Sequence, residues 1–293
     1  MDVSIIIVNY NTKELTKSCI DSVFEYTKGC SFEVILVDNA STDGSESFFK
    51  SDSRIVFIPS KENLGFGRGN NLGFEHARGK YIFFLNSDTY LTGDAISTLF
   101  HFAEDNKSLK IGALGTMLLD AKGRVNKPYA PLPTTNVFRN LFRHLNIGKE
   151  SHRVIQSKLR KQGYSEVGFI CGADLFAAKN ILDQIGVFDP KIFMFCEEID
   201  LCQRIVLSGY QNYIIDNSDI VHLGGSSFDN QQKNFSRYKL ATQSVVYYWH
   251  KYKSGFGLKW TLFYRKILAC RDMNRMHFSK EQKKEIYDLI NKG

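Results

Sequence analysis

Residues 4–11 read SIIIVNYN, a short apolar run followed at once by polar side chains, and residues 34–41 (VILVDNAS) and 81–88 (YIFFLNSD) repeat that arrangement. Continuous β-rich apolar runs of this length are typical of strands buried on both faces of a parallel sheet. Helical patterns lie between the runs, one beginning at Thr12 or Thr16 and a shorter one over residues 70–77. The alternation predicts an α/β domain with right-handed crossovers.

The segments directly after the three runs are candidates for a binding site. They are residues 9–11, 38–41 and 86–88, and they are rich in polar side chains. Ligands of such sheets bind beyond the carboxyl ends of the strands. We therefore expect the three segments to converge on one edge of the sheet.

Length and composition narrow the class of protein. A chain of 293 residues with 43% hydrophobic residues can form one large domain, or one domain with an appendage. Its six cysteines show no CxxC pair, which predicts free thiols in a reducing compartment. The first apolar run is too short for a signal peptide, and no stretch reaches the roughly 18 apolar residues of a membrane span. We expect a cytoplasmic protein whose membrane contact is at most peripheral, at the inner face.

The formal net charge of +7 is unevenly distributed along the chain. Residues 139–161 and 251–284 are basic and rich in aromatic side chains, whereas the first hundred residues are near balance. This asymmetry predicts an anionic partner for the C-terminal half. We expect an anionic lipid surface or a phosphate-bearing acceptor rather than nucleic acid.

The glycine-rich segment at residues 65–73 (GFGRGNNLG) differs from a dinucleotide-binding fingerprint. In that fingerprint the glycines precede the ribose-binding acid, whereas here Asp38 precedes the glycines. Two interpretations remain open. The segment is either a tight loop whose glycines allow positive φ, or a loop that closes over a nucleotide with Arg68 near its phosphates.

Seven motifs, in order between residue 4 and about residue 227, resemble the family 2 glycosyltransferases of GT-A fold, especially the bacterial rhamnosyltransferase-like branch. One motif alone is weak, but seven in the family's order are a specific signal. They are residues 8–11, 37–43, 63–67, 85–88, 186–189, 197–202 and 221–226. The resemblance implies a GT-A domain at residues 1–230, with a mostly parallel central sheet flanked by helices, and a C-terminal helical appendage at residues 231–293.

The resemblance also implies an activity. It is the inverting transfer of a hexosyl or deoxyhexosyl group from a UDP- or dTDP-sugar, with dTDP-rhamnose among the candidates, to an acceptor hydroxyl. The implied setting is bacterial cell-surface polysaccharide synthesis. Two other classes remain as alternatives. A sugar nucleotidyltransferase has a glycine-rich loop directly after its first strand, which residues 9–13 lack. A non-catalytic carbohydrate- or nucleotide-binding module is expected to have lost the catalytic acids.

A departing diphosphate develops negative charge, which a divalent cation such as Mn²⁺ or Mg²⁺ stabilises. Such hard cations prefer oxygen ligands. The resemblance places the metal at Asp88, with Asn86 where the family has the first acid of its Asp-x-Asp motif, and with His222 completing the ligand set. The alternatives are a helix N-cap for Asp88 and a hydrogen-bonded core imidazole for His222.

Inverting transfer needs a base that removes the proton of the acceptor hydroxyl. The family's Glu-Asp pair corresponds here to Glu197 and Glu198, which implies Glu198 as the base. The change from Asp to Glu leaves open which of Glu197, Glu198 and Asp200 performs the step. The alternative is that Glu197, Asp200 and Arg204 form ion pairs at the start of a helix.

By the same resemblance, Tyr10 stacks on the nucleotide base and Asp38 accepts from the N3–H that uracil and thymine share. The alternatives are core packing for Tyr10 and a turn-forming role for Asp38. Gly172, Ala173 and Asp174 resemble the segment that lines the acceptor and donor sugars. The alternative is that they form a tight buried turn. The remaining predicted nucleotide-binding residues are Asn9, Asn63, Arg68, Asn71 and Ser87.

The C-terminal segment interleaves aromatic and basic residues over residues 235–284. This pattern predicts amphipathic helices that grip a lipid-linked saccharide acceptor at a membrane surface. A plain helical packing unit or a homodimer contact is an equal alternative.

Overall fold

The three apolar runs are neighbouring strands in a computed structural model, which describes residues 1–126, 128–133, 148–224 and 231–292. Part of the basic stretch at residues 139–161, and residues 225 and 226 of the last motif, lie outside these ranges. The eight strands of the central sheet follow the spatial order β3 (Ile55–Pro59), β2 (Phe32–Asp38), β1 (Val3–Asn9), β4 (Tyr81–Asn86), β11 (Asp174–Ala178), β6 (Ile111–Gly115), β12 (Gln211–Ile215) and β9 (Tyr164–Val167).

Most of this sheet is parallel, as predicted. Strands β3, β2, β1 and β4 pair in parallel, and β6 pairs in parallel with β12. Strand β11 lies between β4 and β6 and is antiparallel to both, and β9 is antiparallel to β12. In register, Asn9 lies beside Asp38, and Val8 lies beside Asn86. The polar segments that follow the first strands therefore converge on one edge.

Two small sheets accompany the central one. The first contains β5 (Thr89–Leu91), β13 (Ile220–His222) and β7 (Leu118–Leu119). The second pairs β10 (Phe169–Ile170) with β8 (Tyr129–Ala130). The strand β5 directly follows the end of β4, so the three-stranded sheet lies next to the edge where the polar segments meet.

Helices flank both faces of the central sheet, and alternate residues of each strand supply the two cores. On β1, Ile5 and Ile7 join a cluster with residues of the helices at Lys13–Tyr26 and Ala95–Asp105. Ile6 joins a second cluster with residues of the helices at Gly148–Gln162, Lys179–Ile185 and Glu197–Leu207. The helices of the first part of the chain are α1 (Lys13–Tyr26), α2 (Ser45–Phe49), α3 (Gly65–Phe74), α4 (Ala95–Asp105), α5 (Gly148–Gln162), α6 (Lys179–Ile185) and α7 (Glu197–Leu207), with a 3₁₀ turn at Lys107–Leu109.

The glycine-rich segment is a helix and not a loop, and α3 begins five residues before the predicted start. The placement of Arg68 near the phosphates of a nucleotide stays a prediction. Two of its glycines let the helix approach β1 closely. A methyl group on Gly69 would lie 3.0 Å from Val8, and one on Gly73 would lie 2.5 Å from Ile6. Glycine disfavours helix formation by about 1 kcal/mol relative to alanine, and this close packing outweighs that preference.

The chain divides into two compact units. The first comprises Met1–Leu132, Glu150–Pro190 and Glu198–Gly224, and the second includes Lys191–Glu197 and the C-terminal helices. These helices are α8 (Gln231–Tyr252), α9 (Gly255–Arg275) and α10 (Lys280–Lys292). They share a core formed by Val246, Ala269, Met273, Phe278, Ile286 and Ile290. None of the helices in the described ranges combines the length and apolar character needed to cross a membrane.

Candidate active site

The three-stranded sheet brings Asp88 and His222 together. Strand β13 pairs with β5 so that His222 lies opposite Thr89. Asp88 Oδ1 is 3.2 Å from His222 Nε2, and the Leu223 amide donates to the Asp88 main-chain oxygen at 3.0 Å. Asn86 Nδ2 lies 3.5 Å from the same ring nitrogen. The two side chains that the resemblance assigns to a metal are therefore adjacent.

The alternative role of Asp88 as a helix cap is wrong. Asp88 precedes strand β5, and the cap of α4 is Asp94, whose carboxylate accepts from the Ser97 amide at 3.2 Å. The Asp88 and His222 side chains are both partly exposed. One carboxylate and one imidazole suit a Mn²⁺ or Mg²⁺ ion that leaves positions for phosphate and water. Within the described ranges, no third histidine, cysteine or acid joins them to form a metal-binding group.

Glu198 has the features of a proton acceptor at the start of α7. Its Oε2 atom is buried and has no hydrogen-bond partner among the described residues. Burial raises the pKa of Glu198 to about 7, while its own amide and that of Ile199 act in the opposite direction. A methyl group on Gly172 would lie 3.8 Å from Glu198 Cβ and 3.4 Å from the Phe66 ring. Gly172 therefore lies next to the Phe66 ring and to the Cβ atom of Glu198.

The backbone that leads into α7 adopts a strained conformation. Phe195 and Cys196 have φ values of 67° and 68°, in the left-handed region that residues with a side chain seldom adopt. Such residues cost on the order of 1–3 kcal/mol each and cluster at functional sites. Their position directly before Glu197 and Glu198 supports a functional role for the start of α7.

The other two acids of this motif are buried. Asp200 is fully buried and accepts a hydrogen bond from Arg204 Nε at 2.8 Å, one helical turn later. Glu197 is also buried. The ion pair considered as the alternative role for this motif is therefore present between Asp200 and Arg204.

Two side chains hold the loop at residues 186–189 against the site. From α7, the Arg204 guanidinium donates to three consecutive carbonyl oxygens, those of Ile185, Gly186 and Val187. From α3, Asn71 Nδ2 donates to the Phe188 oxygen at 2.8 Å, and Asn71 Oδ1 accepts from the Phe188 amide at 3.0 Å. Both ends of the Asn71 side chain are engaged, which favours a positioning role over the predicted nucleotide contact.

Asn9 organises the edge of the sheet between β1 and β2. Its Nδ2 atom donates to Asp38 Oδ1 at 2.7 Å and to Ser41 Oγ at 3.0 Å. Its Oδ1 atom accepts from Thr12 Oγ1 at 2.9 Å and from Thr16 Oγ1 at 2.8 Å. These four bonds use both donors and both lone pairs of the amide, so Asn9 positions its neighbours.

Asp38 and Tyr10 differ strongly in exposure. Asp38 is 2% exposed, and its Oδ2 atom accepts from the Ser41 amide at 3.0 Å, as in the turn-forming alternative. Tyr10 is 48% exposed, so the core-packing alternative is wrong. Tyr10 therefore offers a ring surface on which a base can stack.

The remaining predicted nucleotide residues surround the start of α3 and the end of β4. Asn63 Oδ1 accepts from Asn39 Nδ2 at 3.0 Å and from the Gly65 amide at 2.9 Å. Arg68 Nε donates to the Leu64 oxygen at 2.9 Å, and the guanidinium forms no ion pair within the described ranges. Ser87 Oγ lies 3.2 Å from Thr12 Oγ1. Arg68 thus has charge available for an anionic ligand.

The segment predicted to line the sugars joins the end of β4. The Asn86 amide donates to the Ala173 oxygen at 3.1 Å. Asp174 is fully buried; its Oδ2 accepts from the Thr116 amide at 2.6 Å and from Thr116 Oγ1 at 2.8 Å. Burial raises the pKa of Asp174 to about 7. Gly172 is partly exposed whereas Ala173 and Asp174 are buried, so of the three it is Gly172 that offers surface to a sugar.

Sequence reasoning missed residues that support the site from behind. Asn39 Oδ1 accepts from the Leu64 amide at 2.9 Å and helps to fix the start of α3. Thr16 donates a hydrogen bond to Asn9, and Thr116 donates to Asp174. Asn39 lies within the recognised segment 37–43, and Thr16 follows the segment 8–11 in the first helix, which was the available signal. Thr116 is far from Asp174 in sequence, so only the fold reveals that contact.

The family match identifies the class of enzyme. Residues 4–182, more than half of the chain, match the model described as Glycosyl transferase family 2. The chain belongs to this family. As a family 2 glycosyltransferase it is an enzyme, which separates it from the nucleotidyltransferases and from the non-catalytic modules considered above.

Two curated relatives of this glycosyltransferase illustrate the match. The low-salt glycan biosynthesis hexosyltransferase Agl10 of Haloferax volcanii is 26% identical over 208 residues, which cover 69% of this chain and 61% of that protein. An Escherichia coli enzyme is 36% identical over 107 residues, covering 36% of this chain and 42% of that protein. It is named UDP-Glc:alpha-D-GlcNAc-diphosphoundecaprenol beta-1,3-glucosyltransferase WfaP. The match spans less than two thirds of each relative.

Two solved structures share the fold. The mannosyltransferase PcManGT of Pyrobaculum calidifontis, in complex with GDP-Man and Mn²⁺, has a TM-score of 0.56 at 16% identity and covers 98% of this chain and 73% of that chain. Residues 1–349 of TarS from S. aureus, in complex with UDP, have a TM-score of 0.52 at 15% identity and cover 84% of this chain and 66% of that chain. These similarities confirm the GT-A fold.

Proposed function

We propose that this glycosyltransferase transfers a sugar from a UDP- or dTDP-sugar to an acceptor hydroxyl with inversion at the anomeric carbon, and that Glu198 is the general base. The observation that carries the proposal is the buried, partnerless Oε2 atom of Glu198. A pKa near 7 makes this carboxylate a stronger proton acceptor than an ordinary glutamate while leaving it substantially ionised at neutral pH. Glu197 and Asp200 then act by positioning the start of α7.

The geometry around Glu198 supports a single-displacement reaction. Gly172 lies next to the Cβ atom of Glu198, and the Ala173 carbonyl that follows it accepts from the amide of Asn86, two residues before Asp88. In the proposed reaction the acceptor oxygen loses its proton to Glu198 and attacks the anomeric carbon, while the bond to the diphosphate breaks on the opposite side. The base and the leaving-group side are thus on neighbouring segments.

The leaving diphosphate is proposed to bind at Asp88 and His222. These two side chains would hold a Mn²⁺ or Mg²⁺ ion, which would neutralise the charge that develops on the diphosphate. The 3.2 Å separation of the two side chains supports this assignment, since both can turn toward one shared ligand. PcManGT, which shares the fold, was solved with GDP-Man and Mn²⁺. Arg68 is proposed to add positive charge near the phosphates.

For the nucleotide, we assign base stacking to the exposed ring of Tyr10. Asp38 is nearly inaccessible, so its contribution is to hold Asn9 and Ser41 in place below the base. The choice between UDP and dTDP, with dTDP-rhamnose among the candidates, rests on the sequence resemblance. TarS was solved with UDP.

The proposed setting is the cytoplasmic face of a membrane, in the synthesis of a cell-surface polysaccharide. The acceptor is proposed to be a lipid-linked saccharide, because the name of the relative WfaP specifies a diphosphoundecaprenol-linked acceptor. The C-terminal unit at residues 231–293 is proposed as the part that meets this environment.

A donor screen tests the proposal. Purified protein is incubated with Mn²⁺, saccharide acceptors and either UDP- or dTDP-sugars, and release of the nucleotide is followed. We expect turnover with one of these nucleotide classes and a product whose anomeric configuration, read by NMR, is opposite to that of the donor. Retention of configuration would refute the inverting mechanism, and turnover only with a purine nucleotide sugar would refute the donor class.

A further inference from the structure

Helix α9 has two apolar faces. Its inner face carries the buried residues Thr261, Ala269 and Met273, of which the last two belong to the core of the C-terminal helices. Its outer face carries four large apolar side chains at intervals of four, three and four residues. These are Phe256, Trp260, Phe263 and Ile267, which are 80%, 37%, 53% and 52% exposed.

We call these four side chains the outer stripe of α9. At 1.5 Å per residue they extend over roughly 16 Å of helix. The rings contact one another: the centroids of Phe256 and Trp260 are 6.5 Å apart, and those of Trp260 and Phe263 are 5.8 Å apart. Four large apolar side chains exposed in one row form a contiguous patch, in contrast to the scattered apolar residues of ordinary surfaces.

The charges on α9 are complementary to an anionic surface. On a helix with 100° per residue, Lys259 and Arg271 lie on opposite sides of the outer stripe, and both are exposed. The cations of this helix are Lys259, Arg265, Lys266, Arg271 and Arg275, against a single acid, Asp272. Asp272 and Arg265 both interact with Tyr238 of α8, so they lie on the inner side. The outer stripe is therefore bordered by the positive charges of Lys259 and Arg271.

We propose that the outer stripe inserts into the interface of an anionic phospholipid membrane while the flanking cations bind the lipid headgroups. Tryptophan and phenylalanine on one helix face, next to lysine and arginine, are the composition of helices that lie in a membrane surface. A second copy of this chain fits less well, because a two-fold contact along α9 brings the cations of both copies together. This assignment adds a lipid-binding surface to the proposed enzyme and does not depend on which sugar is transferred.

The two tryptophans give a direct test. Trp249 is buried and Trp260 belongs to the outer stripe, so Trp249→Phe leaves Trp260 as the only tryptophan. The Trp249→Phe protein is titrated with vesicles of phosphatidylglycerol and phosphatidylcholine. We expect a blue shift of its fluorescence and quenching by brominated lipids. Vesicles of phosphatidylcholine alone should give a far smaller shift, because they offer no charge to the cations.

Substitutions on the wild-type chain separate the two contributions. Phe256→Ser/Phe263→Ser should lower vesicle partitioning by roughly tenfold or more per ring. Lys259→Gln/Arg271→Gln should lower it by about fivefold per charge. Leu207→Ser is the matched control, because Leu207 is 67% exposed outside the C-terminal helices, and we expect its partitioning to be unchanged. The melting temperature verifies that each variant remains folded.

Three results would overturn this inference. The first is an unchanged fluorescence spectrum of Trp249→Phe with anionic vesicles. The second is equal partitioning of the Phe256→Ser/Phe263→Ser variant and the wild-type chain. The third is a lipid-free dimer of the wild-type chain, seen by sedimentation velocity, that is absent in the Phe256→Ser/Phe263→Ser variant. That result would mean that the outer stripe binds a second copy of the chain. All of these measurements omit the sugar donor, so their failure is distinguishable from failure of the transferase assay.

Discussion

Replacing Glu198 by Gln keeps the size of the side chain but removes the proton-accepting carboxylate at the start of α7. The loss of a positioned base lowers kcat by roughly 10²–10⁴-fold. With a pKa of about 7, the wild-type rate should fall about tenfold per pH unit below pH 7 and level off above it. The rate that remains in Glu198→Gln should lack this dependence.

The same substitution lowers activity but should raise the stability of the folded protein at neutral and alkaline pH. The folded protein raises the pKa of Glu198 from 4.5 to about 7, so ionisation of this group costs the folded state about 3 kcal/mol. Between pH 4.5 and pH 7 the folded state therefore keeps a proton on Glu198 that the unfolded state has already lost. The contribution of Glu198 to stability is thus lost as the pH rises from 4.5 to 7. Glu198→Gln should therefore be more stable than wild type at pH 8, and the difference should shrink near pH 4.5.

The assay combines a pH series of nucleotide release with denaturant unfolding at pH 5 and pH 8. Glu197→Gln is the matched control on the neighbouring residue, and we expect it to retain more activity. Glu198→Asp restores the acid found in the family motif and should recover part of the rate. A Glu198→Gln protein with wild-type turnover would refute the assignment of the base. Loss of nucleotide binding in that variant would instead point to a structural role for the carboxyl group.

Three further substitutions, two of them paired with a matched control, test other contacts. Asp88→Asn should abolish the Mn²⁺ dependence of UDP or dTDP binding measured by calorimetry, and unchanged dependence would contradict the metal assignment. Arg204→Ala removes the ion pair of the buried Asp200 carboxylate and should lower the free energy of unfolding by about 3–5 kcal/mol. Lys179→Ala removes a more exposed ion pair, with Asp183, and should cost under about 1 kcal/mol. Gly73→Ala should cost roughly 1–3 kcal/mol because its methyl group meets β1 at 2.5 Å. Gly257→Ala, with nothing within 4 Å, should be neutral or stabilising by up to about 1 kcal/mol. Equal losses in either matched pair would contradict the packing described.

Strands β1, β2 and β4 were predictable because burial on both faces leaves a continuous apolar run. The runs at residues 4–8, 34–37 and 81–85 all lie within strands. The first five residues of helix α3, residues 65–69, were missed because glycine is a poor helix former. The compensation lies in contacts with β1 that are distant in sequence. The position of β11 between β4 and β6 was equally hidden, since its pairing depends on tertiary structure.

For the site, sequence reasoning located the segments better than the roles of single side chains. Asp88 and His222 were assigned to one place by resemblance, and the pairing of β5 with β13 supplies the physical reason. Asn71 was expected to bind nucleotide, but its amide holds the Phe188 backbone. Local sequence shows that an asparagine is polar, whereas its partners depend on how distant segments meet.

The position of β11 has a consequence for synthesis of the protein on the ribosome. Strands β1 to β4 and strand β6 are made first, but the hydrogen-bonding edges of β4 and β6 that face each other have no partner until residues 174–178 appear. Unpaired strand edges are templates for wrong association between chains. The nascent chain is therefore most prone to aggregation after β6 emerges and before β11 does, and a chaperone that binds extended segments would act in that interval.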